Sequence, residues 1–441
     1  MNLQINLPKL LFGYGLSIFP LLLLSGPLIS ELFLFSVTFF SIFCIVRQKN
    51  FIYFKNKYFI FFLFFYLSTV YSTLLNYYSL DSSLGGLFYF RIPLFAISIW
   101  FILNNFNVFN KKIILFYNLF FLLIIFDSLI QFYSGQNLLG NEIISKRISS
   151  FFGDELILGG FITRILPIFL IYLVMNDLLN KEKINIYYLL LTSFLCFIVY
   201  LSGERTSFAL LILFFFTLFF ISKYLRKSIV IITVFFLILS FVLPSLKSSN
   251  EINPANRMFS KSYNQIIGKG EEQYENHKKK IFKKIYIFSH DHHGHYLLSY
   301  RIFKDYKISG TGIKGFRYLC RNKIYILENP ALKVFNDGCS THPHNTYVQI
   351  LVSNGLIGFL LILFAFFYVL REIFLCKKKN KGQTFFDKNE IAKAIAISAI
   401  FINIWPLIPS GNFFNNWLSM LYFYPIGFYL YFKHINEKKI S

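Results

Sequence analysis

Apolar runs of 15 to 25 residues recur along the chain at about 10–24, 28–46, 58–75, 84–103, 113–133, 156–175, 186–202, 206–222, 228–244, 346–370, 391–409 and 413–432. A helix rises 1.5 Å per residue and the hydrocarbon of a bilayer is about 30 Å thick, so runs of this length predict membrane-spanning helices. Twelve spans are expected, the first two parted at Ser25-Gly26-Pro27. One long polar stretch interrupts the series. The expected organisation is helices one to nine in 1–244, a loop domain in 245–345, and helices ten to twelve with a short tail in 346–441. The first run passes into the second without a small-residue cleavage site, so the first helix is expected to be its own signal-anchor. No internal repeat stands out.

Composition narrows the class. The 441 residues are 56% hydrophobic and 21% aromatic, with 15% charged, well below the roughly 25% of average soluble chains. A soluble multidomain protein, a disordered chain and a disulfide-framed secreted domain are all excluded. The expected fold is an all-α polytopic membrane protein.

A net charge of +23 would suggest nucleic acid in a soluble protein, but the positions point elsewhere. With the N-terminus inside, 21 Lys and Arg fall on inside segments and only Lys146, Arg147 and Arg205 on the short outside connections. Cytoplasmic loops carry the basic excess, so both termini are expected in the cytoplasm and the long loop in the periplasm. No nucleic-acid partner is expected.

That loop holds seven of the eight histidines: His277, His290, His292, His293, His295, His342 and His344. Helices are expected near 256–267, 271–288 and 294–307, with a turn at Gly310-Thr311-Gly312. Glu271 to Phe288 interleaves Lys278, Lys279, Lys280, Lys283 and Lys284 with Ile281, Phe282, Ile285, Tyr286 and Phe288. Such a helix either lies on anionic lipid or forms a solvated cap. Cys320 and Cys339 share the exported loop, where a disulfide is compatible with an oxidising compartment. Cys44, Cys196 and Cys376 are read as packing residues. The run Asp291-His292-His293-Gly294-His295 matches a metal site in composition but no spaced ligand pattern. No metal and no cofactor are expected.

Arg91, Asp127 and Arg164 interrupt apolar spans, each at about 2.5–3.5 kcal/mol on an insertion scale. By helical rise they lie roughly 9–12 Å in from the outer ends, all in the outer half of the membrane. Ser202-Gly203-Glu204-Arg205-Thr206 adds an ionisable pair at the same face. These residues form either a cationic cavity for an anionic substrate or a buried network, such as Asp127 with Arg91 or Arg164. The sixth, eighth and tenth helices start at the outer face, where free N–H groups and helix dipoles favour a phosphate. Before the tenth comes Cys339-Ser340-Thr341-His342-Pro343-His344-Asn345. Pro343 favours an extended His342, and Asn345 suits a helix cap. Spacing of two along an extended chain aims both imidazoles one way, and beside cations they tend to stay neutral, as a general base requires.

Several stretches together resemble the O-antigen ligase/O-antigen polymerase superfamily of bacterial envelope glycosyltransferases. They are Arg147-Ile-Ser-Ser-Phe-Phe-Gly-Asp-Glu155, Ser202-Gly-Glu-Arg-Thr-Ser207, Arg301 with Gly310-Thr-Gly-Ile-Lys-Gly-Phe316, and His342-Pro-His-Asn-Thr-Tyr-Val-Gln349 running into Asn354-Gly-Leu-Ile-Gly358. The resemblance implies a type C glycosyltransferase-like fold acting on a glycan carried by undecaprenyl pyrophosphate, without metal. It implies His344 as the base, with His342 beside it, and Arg205 and Arg301 as pyrophosphate ligands. Arg147 is a third such ligand, and Glu204, Arg164, Arg91 and Asn345 complete the expected substrate-binding set. The acceptor is a lipid A-core sugar for a ligase or another lipid-linked repeat for a polymerase. A single large outer loop and a modest connection at 134–155 tilt the reading to ligase. From a different class, a transporter or flippase of an anionic lipid-linked glycan would also line an outer cavity with arginines, but would bring inverted repeats and a site near the midplane.

Overall fold

The fold is that of a computed structural model describing residues 9–179, 185–245, 254–260, 263–264, 290–325, 338–382 and 386–438. The predicted apolar runs are mostly helical there, the run expected at 391–409 leaving its helix at Asn403. A turn of π-helix at Lys9–Tyr14 leads into α1 (Gly15–Leu24), followed by α2 (Pro27–Arg47), α3 (Lys57–Leu75), α4 (Leu80–Leu87) and α5 (Arg91–Asn105). Next come α6 (Lys111–Ser134), α7 (Leu158–Met175), α8 (Ile186–Leu201), α9 (Arg205–Ile221) and α10 (Arg226–Ser245). The polar region contributes α11 (His290–Asp305) and α12 (Gly315–Leu319), and α13 (Thr346–Gly382), α14 (Lys388–Asn403) and α15 (Asn416–Lys438) close the chain. Among the described residues there is no strand, only two isolated bridges within 136–147. Seven of the described helices are long and apolar enough to cross a membrane, while Leu11–Leu24, Ile186–Leu201 and Arg205–Ile221 are apolar but shorter.

Local signals set the boundaries. Asn56, Asn110 and Asn185 cap α3, α6 and α8 by accepting backbone N–H bonds, and Asp387 does the same for α14. Each satisfies an amide that the first helical turn leaves unpaired. Gly135 ends α6 at φ 90°, a left-handed C-cap. The run expected at 84–103 is divided by a short 3-10 turn at Phe88–Phe90, so that Arg91 starts a new helix. Of the helix expected over 256–267, Asn256–Ser260 are π-helical and 263–264 α-helical, its other residues lying outside those described; that expected at 294–307 is α11, and 271–288 lies outside the described residues.

Burial sorts the helices into inner and outer ones. Most of the apolar window of α7 is inside the bundle, whereas α2 and α10 turn most of theirs outward. Phe39, Leu28 and Phe241 project from outer faces at 70% exposure or more, a surface that water would penalise and acyl chains would not. Inside, α15 packs on α5 and α14, and α14 on α7. A Cβ at Gly427 would strike Ile99 and the Ala96 carbonyl, so this small residue sets the closeness of α5 and α15.

The polar segment is sewn onto the bundle at a break in α13. Gly355 sits at φ 65° and ψ −163°, interrupting the helix. Into the gap runs 307–312: Thr311 N donates to Val352 O at 2.8 Å, Gly312 N to Ser353 O at 2.9 Å and Leu356 N to Lys307 O at 2.8 Å. A Cβ at Gly310 or Gly355 would collide with the opposing backbone, and both have positive φ, so only glycine fits. Asn354 Nδ2 donates to Thr69 Oγ1 at 2.8 Å and Asn76 Nδ2 to Gly310 O at 3.0 Å, tying the crossing to α3. The motifs Gly310-Thr-Gly and Asn354-Gly therefore have an architectural cause.

Candidate functional site

Asn345 caps α13 as its position predicts: Oδ1 accepts from Tyr347 N at 2.9 Å and Val348 N at 3.2 Å, and Nδ2 donates to Pro406 O at 2.8 Å. Its amide is thus engaged in holding the helix start. One residue earlier, His344 has φ 56°, uncommon for a residue with a Cβ. Its carbonyl accepts from Ser410 N at 2.9 Å. This bend carries the His344 ring back over His342, with centroids 4.0 Å apart. From α11, His295 and His292 approach the His344 ring at 5.1 and 5.8 Å. His295 Nδ1 lies 2.9 Å from Gly338 O, so that nitrogen donates to the carbonyl and the ring is held in place. The Cys320–Cys339 disulfide, with Cα atoms 5.0 Å apart, fixes the segment that contains Gly338 and Ser340.

Burial and charge act on these rings in the same direction. Burial first, then His295, Arg317 and His292, push His342 down to about 4. Burial, then His342, His295 and His292, push His344 down to about 3. Both rings are neutral at pH 7. Ser340 Oγ lies 3.1 Å from His344 Nε2, and His342 Nε2 is buried without a hydrogen-bond partner among the described residues. Four rings are close together, yet among the described residues no group of three or more His, Cys, Asp or Glu is arranged to hold a metal ion.

The second group is cationic. Arg147 Nη2 donates to Leu156 O at 2.7 Å and Nε to Ser202 O at 3.2 Å, and Nη2 stands 3.6 Å from Glu204 Oε1. Arg257 Nε donates to Gly203 O at 3.0 Å, and the charges of Arg147 and Arg205, after burial, lower its pKa. Arg205 is exposed at the first turn of α9. Three arginines therefore surround the Gly203 turn. Glu204 serves a different helix: its carboxylate accepts Gly159 N at 2.7 Å, Gly160 N at 2.9 Å and Ser207 Oγ at 2.8 Å. Burial raises its pKa, against the pull of Ser207, Arg147 and the two amides. It caps α7.

Arg164 connects the two groups. Its Nη1 donates to Gly160 O at 2.9 Å, its guanidinium lies 5.3 Å from the Tyr422 ring centroid, and its Nε is buried without a partner among the described residues. Tyr422 packs on Phe413, whose N donates to Gln349 Oε1 at 2.9 Å in the first turn of α13. The α9 and α13 helices also pack together. The arginine turn and the histidine bend thus belong to one end of the bundle.

Other expected residues stand elsewhere. Arg91 forms an ion pair with Glu31 at 3.2 Å and donates to Asn416 Oδ1 at 2.8 Å and Phe88 O at 2.7 Å. Asp127 pairs with neither arginine: it accepts from Leu138 N at 2.9 Å and Ser150 Oγ at 2.5 Å, organising the loop that carries Arg147. Arg301 is exposed on α11, with Nη1 3.5 Å from Tyr325 O. The arginine whose charge reaches His342 is Arg317, and its Nε is buried without a partner among the described residues. Arg257, Arg317, His292 and His295 were not in the expected set. No fixed spacing marks them, and only the placement of 254–260 and 290–320 against the bundle and 338–346 brings them in.

Residues 189–363 match the family model described as O-Antigen ligase. The matched stretch runs from α8 into α13 and contains Glu204, Arg205, Arg257, Arg301, Arg317, His342 and His344. No curated protein matches the chain. Over that stretch the chain is similar to the O-antigen ligase family, and its many apolar helices agree with a multi-pass membrane protein.

Proposed function

We propose that the protein is an O-antigen ligase-type glycosyltransferase, moving a glycan from undecaprenyl pyrophosphate to a lipid A-core sugar at the periplasmic face of the bacterial inner membrane. The observation that carries this is the meeting, at one end of the bundle, of a neutral histidine bend and a three-arginine turn, the bend and two of the arginines, Arg205 and Arg257, lying inside the stretch matching the family model. In the reaction His344 takes the proton of the acceptor hydroxyl. The acceptor oxygen attacks the anomeric carbon, and the bond from that carbon to the pyrophosphate oxygen breaks. Undecaprenyl pyrophosphate leaves with the electron pair. Arginine suits the leaving side because its planar fork binds phosphate oxygens in pairs and keeps its charge at every working pH. Arg205 and Arg257 serve there, with Arg164 supplying its unpaired Nε and Arg301 approaching from α11. Fixed cations aimed where charge develops supply the stabilisation a divalent ion would otherwise give, so full activity is expected in EDTA.

His344 at about 3 is neutral but weakly basic. Binding of an anionic donor beside it raises that value, favouring proton uptake once both substrates are in place. His342 and Ser340 hold the ring. A second reading, polymerase rather than ligase, is favoured by Arg147: the smaller outer loop delivers this arginine to the same turn, as a chain with two arginine-bearing loops would.

The lipopolysaccharide banding pattern and lipid-linked pool of a strain lacking the gene test the proposal. Loss of capped lipopolysaccharide with long carrier-linked polymer supports ligase, and lipid A-core bearing a single repeat supports polymerase. An unchanged pattern contradicts both and favours another glycan or transport.

A further inference from the structure

A cavity of about 570 Å³ lies between α3, α13, α14 and α15, its inner end reaching Tyr422, on which Arg164 packs, and its mouth at the opposite end of α13 from the histidine bend. Arg371, at its mouth, follows Thr346 by 25 residues along α13, which places the mouth roughly 35 Å from the histidine bend. Phe62, Phe65, Ile400, Phe423 and Ile426 line the shaft. From Lys433 at the mouth to Tyr422 deep inside is 11 residues of α15, about 16 Å of depth. The volume and shape suit one acyl chain.

The mouth is charged. Lys55, Lys57, Arg371 and Lys433 surround it. Lys433 Nζ donates to Tyr368 Oη at 2.6 Å and lies 3.6 Å from Glu372, which also stands 3.3 Å from Arg371. Glu437 is a further acid at the rim. Four cations against two acids leave an excess of positive charge, and Lys55, Lys57 and Arg371 are exposed to a ligand. Tyr58 Oη, Trp100 Nε1 and Asn403 Oδ1, on residues of the wall, are buried with no hydrogen-bond partner among the described residues. Buried polar atoms are rarely left so.

We propose that this shaft is a binding site for an anionic glycerophospholipid, with one acyl chain between α3 and α15 and the phosphate among Lys55, Lys57 and Arg371. Apolar shaft and cationic rim together match such a lipid better than a neutral one, since each basic side chain near a headgroup adds about fivefold in affinity for negative charge. A polyprenyl donor does not fit both ends: with its pyrophosphate at the arginine turn, its phosphates lie roughly 35 Å from this rim. The inference does not depend on the glycan chemistry.

The full-length protein is placed in nanodiscs of equimolar phosphatidylglycerol and phosphatidylethanolamine, and lipids retained after ejection are read by native mass spectrometry. Retained phosphatidylglycerol is expected to exceed phosphatidylethanolamine by about fivefold or more. The triple variant Lys55→Gln, Lys57→Gln, Arg371→Gln, on exposed side chains and eluting as wild type, loses the preference. Ala365→Trp, which fills the shaft, loses the lipid. Equal retention of the two lipids by the wild type, a preference unchanged in the triple variant, or a polyprenyl phosphate as the retained lipid would each overturn the proposal.

Discussion

Replacing Glu204 separates two roles for the residue beside Arg205, substrate contact and helix cap. In the structure both carboxylate oxygens are occupied: Gly159 N at 2.7 Å, Gly160 N at 2.9 Å and Ser207 Oγ at 2.8 Å, with Arg147 at 3.6 Å. Alanine leaves two buried amides at the start of α7 without an acceptor. A lost cap costs about 0.5–2 kcal/mol and each orphaned buried donor about 1–3, so Glu204→Ala is expected to destabilise by about 2–5 kcal/mol. Glutamine keeps one acceptor oxygen but turns a donor toward the other amide, and is expected to cost about half as much. For a chain of this length that is a fall of roughly 2–5 °C in the apparent unfolding midpoint for alanine. The assay is thermal unfolding of the detergent-solubilised variants beside glycan transfer at a temperature where all are folded. Transfer at that temperature should stay near the wild-type rate while the unfolding midpoint falls. Wild-type unfolding with transfer abolished would refute the capping argument and make Glu204 a substrate contact.

Three further outcomes follow from the same geometry. Arg205→Lys keeps the charge but loses the paired fork, so transfer should drop by about a hundredfold at unchanged protein level; near-normal transfer would make Arg205 structural. His342 and His344 have folded values near 4 and 3, below the unfolded 6.5. The unfolded state therefore binds more protons as pH falls below 6.5, and stability present above that value declines toward pH 3; a double His342→Asn, His344→Asn variant should show a flatter midpoint-against-pH curve, and an equal slope would contradict the assignment. Cys339→Ser opens a disulfide spanning 19 residues, which should cost about 2–4 kcal/mol and reduce transfer through the Ser340–His344 contact, read as a lower midpoint without added reductant.

The membrane helices were legible because lipid imposes a single demand, a long apolar run, that sequence displays directly. The Asn345 cap was legible because it is local, whereas His342 and His344 meet through a positive-φ bend at His344 and not through the extended chain expected there. The fates of the interrupting charges were not. Arg91 pairs with Glu31, sixty positions earlier and itself inside an expected span, while Asp127 turns to the backbone of its own following loop. Glu204, next to an arginine in sequence, serves the N-terminus of α7, and no periodicity announces a cap delivered from another helix. Arg257 falls in a helix expected at 256–267 and Arg317 in a stretch with no expected element, and neither position carries a signal that points to the site. Only the stitching of 307–312 into the break at Gly355, and the closure by Cys320 and Cys339, bring that stretch against the bundle.

The central claim is that His344 removes the acceptor proton. Purified wild-type protein and His344→Ala, at matched folded amounts, are given undecaprenyl-pyrophosphate-linked glycan and lipid A-core in the presence of EDTA, and transferred glycan is followed on gels. Transfer by the wild type without added metal and a loss of about 10²–10⁴-fold in the variant are expected. Transfer by His344→Ala at the wild-type rate would contradict that claim.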